Sequence, residues 1–389
     1  MSIARDLSLS AVVAGFVTVL VGFTSSAVIV FQAAHAVGAG PAEIASWMWA
    51  LGLGMGSTCI LLSLRYRMPV VTAWSTPGAA MLITSAGGVS LGEATGAFLV
   101  SAMLITIAGF SGWFERAINR IPGSIASGML AGVLLRFGLE VFVVMKAQFL
   151  MAFPMFAVYL VARRLVPRYA VICAFVLGIF IASALGMLHM DAVHFEFARP
   201  VWVTPSLSVS ALIGVALPLF IVTMASQNVP GVAVIRASGY QIPISPVIGW
   251  TGISNLILAP FGAFAINLAA ITAAICMGRE AHEDSRRRYI AAVSAGFFYI
   301  LIGLFGATVG ALFAAFPREL IIAIAGLALI GTIGNGLAAA LSNERDREPA
   351  LVTFLVAASG VTLFGIGSAF WGLIAGGLAL LILHPKGKR

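Results

Sequence analysis

The sequence predicts an all-α polytopic membrane protein whose fourteen transmembrane segments form two inverted repeats of seven. Three observations predict it: an extreme apolar composition, a one-sided distribution of positive charge, and an internal similarity at half the chain length. Of 389 residues, 61% are hydrophobic and 9% charged, with mean hydropathy +1.07, whereas a soluble domain carries about 25% charged residues. No aqueous fold could hide that much apolar surface. A helix crosses the bilayer in roughly 20 apolar residues, so the chain has room for about 14 spans.

The spans follow in order from apolar runs bounded by charge, glycine or proline. Residues 8–36 form the first, behind Arg5. Ala34-His35-Ala36 resembles a cleavage site, but the run far exceeds a signal-peptide core of about 7 to 15 residues, so the span is expected to be retained. Residues 43–63, 69–86, 94–114, 121–140, 149–165 and 169–188 complete the first half. The second runs 208–235, 244–260, 263–278, 289–313, 318–341, 350–366 and 369–384. The longest polar stretches, Gly278 to Arg288 and Ser342 to Pro349, are loops. Residues 1–389 are therefore expected to form one membrane domain, with repeats at 1–190 and 205–389. Cys59, Cys173 and Cys276 are isolated in apolar segments without metal-ligand spacing and read as small core residues. No cofactor or metal is expected.

Lys and Arg stay on the cytoplasmic side of short loops. With fourteen spans both termini share a side, and 18 of the 22 Lys and Arg residues fall on it, among them Arg65, Arg67, Arg116, Arg163, Arg236, Arg286 and Arg345. Lys146, Arg199 and Arg318 lie opposite, and Arg136 falls inside the fifth span. Both termini are therefore expected in the cytoplasm of a bacterial cell, the chain lying in its inner membrane. The net charge of +8 needs no nucleic-acid partner, since a basic inner face is what insertion demands.

Sliding the chain on itself by about 195 residues aligns span 4 with span 11 and span 5 with span 12. Leu104 to Trp113 followed by Arg120-Ile121-Pro122 meets Ile300 to Thr308 followed by Ala315-Phe316-Pro317. Because seven is odd, the halves enter the membrane from opposite sides, and such carriers bind substrate at mid-depth where interrupted spans expose helix ends. Span 3 carries a β-branched run and then Ser75-Thr76-Pro77, a helix-start signal with Pro just inside. Its repeat mate, span 10, approaches through Ala265-Ile266-Asn267, with Asn267 expected to cap an Ala-rich helix. Each span should thus be a short strand plus a half-helix. Two half-helix N-termini would meet, each with about half a positive charge and free N–H groups, which favours an anion. The first span of each half adds matching polar groups, Thr24-Ser25-Ser26 with Gln32, and Ser226-Gln227-Asn228 just before Pro230. Buried amides need partners or a wet cavity, and Pro230 is best tolerated beside one. Ser25, Ser26, Trp74, Ser75, Thr76, Gln227, Asn228 and Asn267 are the candidate substrate-binding residues.

Thr72 to Ala80, Pro218 to Gly231, Ala269 to Cys276 and Gly365 to Gly377 resemble the benzoate/proton symporter (BenE) family, and the resemblance covers essentially the whole chain. It implies proton-coupled import of benzoate or a similar aromatic carboxylate. It also implies a relation to the seven-plus-seven nucleobase and sulfate-type carriers, with a core domain (spans 1–4 and 8–11), a gate domain (spans 5–7 and 12–14) and an elevator-type cycle. Fold relatives often dimerise through the gate, which leaves a homodimer open. Nucleobase relatives carry acidic residues where this chain has Ser226-Gln227-Asn228 and Ile266-Asn267, a departure that suits a carboxylate substrate. Trp74, Phe23 and Phe264 could face its ring. Proton coupling is carried by the resemblance alone, since His35, Arg136, Glu140 and Lys146 do not sit beside the half-helices; Glu140 and Lys146 are expected at an external turn, and Arg136 to pair with Glu140. An uncoupled anion channel or uniporter, or a carrier of another small organic or inorganic anion, is the competing reading. No catalytic pair at mid-depth and no phosphate-binding loop point to an enzyme or a nucleotide-driven pump.

Overall fold

The chain is almost entirely helical in a computed structural model that describes residues 6–85, 88–118, 122–188, 197–306, 316–361, 363 and 368–383. Local chemistry sets many helix starts. Ser8 accepts from the N–H of Ala11 at the head of α1 (Leu9–Ala36). Pro41 opens α2 (Pro41–Tyr66), which ends at Arg67 with φ 54. The strand β1 (Thr72–Trp74) then leads into α3 (Thr76–Ser85). Ser90 and Glu93 form a reciprocal capping box on α4 (Leu91–Phe110), satisfying two N–H groups that the helix itself cannot. A short helical turn, Trp113–Ile118, follows. Then come α5 (Gly123–Ala147), α6 (Phe149–Leu165) and α7 (Ala170–Ala184).

The second half repeats this order. It comprises α8 (Val209–Ala237), α9 (Ile244–Leu258), the strand β2 (Ile266–Leu268), α10 (Ile271–Met277) and α11 (Tyr289–Leu304). α12 (Arg318–Leu341), α13 (Arg347–Ser359) and α14 (Ser368–Leu383) complete it. The two prolines matched by the internal alignment, Pro122 and Pro317, each stand immediately before a helix, α5 and α12. Among the described residues, 7 helical segments are long and apolar enough to cross a membrane: α2, α4, α5, α8, α9 with the turn that follows it, α11 with the turn before it, and α12.

Helix α8 winds unevenly. Two π-turns, Leu212–Ala216 and Met224–Asn228, interrupt it. Each precedes a proline, Pro218 or Pro230, whose ring clashes with the carbonyl four residues back and which has no N–H to donate. The chain widens, and the N–H groups of Leu217 and Val229 reach back five residues, to Leu212 and Met224.

Packing separates the helices into two groups. In one, α2 lies on α11, α4 on α9, and α1 on α3, α10 and α11; in the other, α5 lies on α12 and α13, α6 on α7, and α13 on α14. The groups meet where α8 touches α5 and α1 touches α12. Exchanging the halves maps these pairs onto one another, down to single glycines. A Cβ on Gly52 would stand 2.6 Å from the backbone of Gly303, and one on Gly109 would stand 2.3 Å from the backbone N of Gly249. Both exchanges shift the numbering by about 195 residues, the offset of the sequence similarity. Small residues here let backbones touch, which replaces the hydrophobic drive that lipid does not supply.

Some boundaries differ from those the hydropathy predicts. α5 continues seven residues past Glu140, to Ala147, so Glu140 lies on the helix rather than at an external turn. It pairs with Arg136 at 3.9 Å, and the arginine is 78% exposed. Long charged side chains on an outer face carry their heads outward and do not end a span. His35 is exposed in the last turn of α1.

Candidate functional site

The two short strands are the centre of the polar interior. β1 and β2 pair antiparallel, Thr72 opposite Leu268, Ala73 opposite Asn267 and Trp74 opposite Ile266. A two-stranded ribbon three residues long is not stable alone, and side chains of the surrounding helices hold it. Thr72 donates its N–H to Cys59 Sγ (3.1 Å) and its hydroxyl to the carbonyl of Met55 (3.0 Å), and shares a 2.7 Å hydrogen bond with Thr58. On the other side Asn228 Oδ1, from the second π-turn of α8, accepts the N–H of Leu268 at 3.0 Å. Gly231 makes room for this, since a Cβ there would meet Leu268 at 2.6 Å. Thr18 of α1 donates to the carbonyl of Thr272 in α10 at 3.3 Å and contacts Cys276 Sγ at 3.2 Å. Cys59 and Cys276 are wholly buried, as the sequence led us to expect, whereas Cys173 is only half-buried.

β1 delivers the chain directly into α3. Ser75, fully buried, accepts the N–H of Gly78 at 3.0 Å, and Ala79 donates to the Ser75 carbonyl at 2.8 Å. Thr76 is half-buried at the first helical position. Trp74, 4% exposed, donates its indole N–H to Ser26 Oγ at 2.9 Å, and Ser26 donates in turn to the carbonyl of Gly22 at 3.0 Å. The ring of Phe23 meets Trp74 edge-on at 6.0 Å. A polar serine, an aromatic wall and the start of α3 are thereby brought together. Gln227 is half-buried on the π-turn next to Asn228, and Gln32 is exposed on α1. The side chain of Ser25 lies outside the described residues.

Two expectations, the cap at Asn267 and the role of Phe264, need correction. Asn267 does not cap α10. That helix begins four residues later, at Ile271, after Ala270 and with no side-chain cap. Asn267 sits within β2, wholly buried, and donates Nδ2 to the carbonyl of Ala265 at 2.7 Å. Ala265 holds φ at 45, a conformation an alanine adopts only when its surroundings impose it. The pairing also sets Asn267 and Trp74 on opposite faces of the ribbon. Side chains alternate along a strand, and the register sets Asn267 beside Ala73 and Trp74 beside Ile266. Phe264, finally, is buried in a cluster with Trp47 (5.5 Å) and Phe98 (5.9 Å), a packing role.

The residues missed are those that brace the ribbon. Asn255 of α9, 1% exposed, donates to the carbonyl of Ile266 at 3.4 Å. A lone amide in the middle of an apolar span was the available signal. The Oδ1 atoms of Asn255 and Asn267 are buried without a hydrogen-bond partner, two of five such side-chain atoms among the described residues. The hydrogen-bond partners of the two strands are hydroxyls, thiols, amides and backbone groups. Among the described residues no cluster of three or more acidic, His or Cys side chains could hold a metal.

A bundle of apolar helices with a braced polar ribbon inside it is the architecture of a multi-pass membrane protein, and its family is one of membrane transporters, not enzymes. The chain belongs to the benzoate membrane transport protein family (BenE), whose model matches residues 5–382. It is 51% identical over 371 residues to the inner membrane protein YdcO of Escherichia coli (strain K12), covering 95% of each chain. It is 40% identical over 386 residues to the benzoate membrane transport protein of Acinetobacter baylyi, covering 99% of this chain and 98% of that one. Among solved structures it resembles SLC26A9, with TM-score 0.50 and 12% identity over 99% of this chain and 67% of that chain. At that identity the likeness is one of fold alone.

Proposed function

We propose that the protein imports benzoate or a similar aromatic carboxylate together with protons across the bacterial inner membrane, binding it where β1 and β2 deliver the chain into α3 and α10. The observation that carries this reading is the antiparallel pairing of the two strands, which joins the approaches to α3 and α10 in one short ribbon, the two helices leaving from its opposite ends. Helix starts carry partial positive charge and unused N–H groups. Ser75 takes up one such group of α3, and no side chain caps α10. Trp74, oriented by Ser26, offers an aromatic wall. Ser25, Thr76 and Gln227 remain candidates for the carboxylate, whereas Asn228 and Asn267 act chiefly by holding β2 in shape.

The wider architecture is part of the same proposal: fourteen spans in two inverted repeats, both termini cytoplasmic, a core of α1–α4 with α8–α11 moving against a gate of α5–α7 with α12–α14, and dimers formed through the gate. The repeat-related glycine contacts and the two packing groups support it. The name of the Acinetobacter baylyi relative supports benzoate. Uptake of labelled benzoate into proteoliposomes, with and without an inward proton gradient, is the test. Saturable uptake that the gradient stimulates and excess unlabelled benzoate suppresses is expected. Flux indifferent to the gradient would refute coupling, and no uptake by folded protein would refute the substrate.

A further inference from the structure

A cleft of about 270 Å³ opens between the two packing groups on the side that the charge distribution assigns to the cytoplasm. Its walls include Ser238 after α8, Met277 at the end of α10, Arg279 and Arg288 beyond it, and, from the other group, Leu130 of α5 and Asn335 of α12. Arg288, 9% exposed, spends its guanidinium on three main-chain carbonyls: His282 (2.6 Å), Met277 (2.8 Å) and Glu283 (3.2 Å). Met277 is the last residue of α10. Its carbonyl belongs to the negative end of the helix, and Arg288 answers that end with a full positive charge. Arg279 is exposed and makes no ion pair with any described residue. Two nearby acids are already engaged, Glu280 by Arg163 and Asp284 by Arg287. The cleft therefore has two guanidinium groups and no carboxylate in its lining.

We infer that this cleft is a second binding site for the transported carboxylate, distinct from the one at the paired strands, with the carboxylate on Arg279 and the ring between Leu130 and Met277. The inference rests on the substrate reading above. α10, at 7 residues, is about 10 Å long. An anion bound at its start must therefore pass its negative end to reach the cytoplasm. Arg288 cancels the repulsion, and Arg279, with no competing carboxylate, holds the anion on the way.

The test is protection of a cysteine in the full-length protein. Ser238→Cys, in a Cys173→Ser background, is labelled with a membrane-impermeant thiol reagent in inside-out vesicles, across a range of benzoate concentrations. Benzoate is expected to slow labelling. The half-protecting concentration should rise at least about tenfold with Arg279→Gln and stay within about threefold of the parent with Arg279→Lys, because charge and not shape is what the site uses. Uptake of labelled benzoate by right-side-out vesicles from the same cells separates the two ideas. Accumulation of benzoate while Ser238→Cys is unprotected, or equally protected with Arg279→Gln, overturns the second site and leaves the transport reading standing. Neither accumulation of benzoate nor protection of the cysteine overturns both.

Discussion

The hydrogen bond from Trp74 to Ser26 is the contact on which the proposed aromatic wall depends, and it can be broken without changing the volume of the site. Ser26→Ala removes one oxygen and leaves the indole N–H, buried in a side chain 4% exposed, with its acceptor gone. An unsatisfied buried donor costs about 1–3 kcal/mol. That corresponds to about a 5- to 150-fold change in any equilibrium that requires the native indole orientation. Ser26 also donates to the carbonyl of Gly22 at 3.0 Å, but that carbonyl lies inside α1 and keeps the helical ladder. Ser26→Ala should therefore raise the half-saturation concentration for benzoate uptake in proteoliposomes by about tenfold, towards the lower end of that range. Trp74→Phe removes the donor instead. In the Trp74→Phe background, Ser26→Ala should cost little, giving a coupling of about 1 kcal/mol in the double-mutant cycle. Equal effects of Ser26→Ala in both backgrounds would show that the bond does not orient the ring, and the wall would have to be sought elsewhere.

Further outcomes follow from the same geometry. Gly52→Ala and Gly109→Ala push a Cβ to 2.6 Å and 2.3 Å from the backbones of Gly303 and Gly249 and should each lower the thermal midpoint in detergent by an amount worth about 1–3 kcal/mol; midpoints equal to the parent's would refute backbone contact at these pairs. Arg163 of α6 and Glu280 after α10 form the one ion pair that joins the two packing groups among the described residues. Glu280→Gln should lower the midpoint and the exchange Arg163→Glu with Glu280→Arg should recover part of it, whereas no recovery would assign the loss to packing. Asn267→Asp adds a buried negative charge beside the proposed site and should abolish uptake, so normal uptake would misplace the site. Glu115 lies outside the membrane-crossing helices; burial pushes its carboxyl up, but hydrogen bonding from Ser245 and the charge of Arg236 outweigh this and hold it below the usual carboxylate range. A depressed acid stabilises the fold above its unfolded pKa of about 4.5 and loses that contribution as pH falls through the folded value. Glu115→Gln should therefore flatten the acid limb of the stability profile below about pH 4.5, and an unchanged limb would refute the assignment.

Much of the fold was legible locally. The Ser75-Thr76-Pro77 signal marks a helix that does begin at Thr76 with Ser75 as its cap, because the hydroxyl that caps and the ring that fits the first turn act within four residues. Pro122 and Pro317 announce α5 and α12 for the same reason. Asn267 shows where local signals mislead. Asparagine is a good cap in isolation, yet here pairing with β1 and the forced backbone at Ala265 keep it in the strand. The prolines of α8 could be seen, but that each would widen the helix into a π-turn depended on neighbours that reward the bulge, such as Leu268 bonding to Asn228.

Composition and charge by themselves determined that this chain is a multi-pass membrane protein, since the bilayer tolerates only apolar spans and basic loops partition to one side. Four motifs by themselves determined its family. The tertiary structure decided how the interior is arranged. Thr72 and Leu268, Gly52 and Gly303, and Arg163 and Glu280 lie far apart in the chain, and each contact depends on the mutual position of helices that look alike to a sequence because lipid and a neighbouring helix are equally apolar. What a side chain touches there is set by packing geometry, and that is why the brace around the ribbon, the split between Trp74 and Asn267, and the basic cleft appear only in three dimensions.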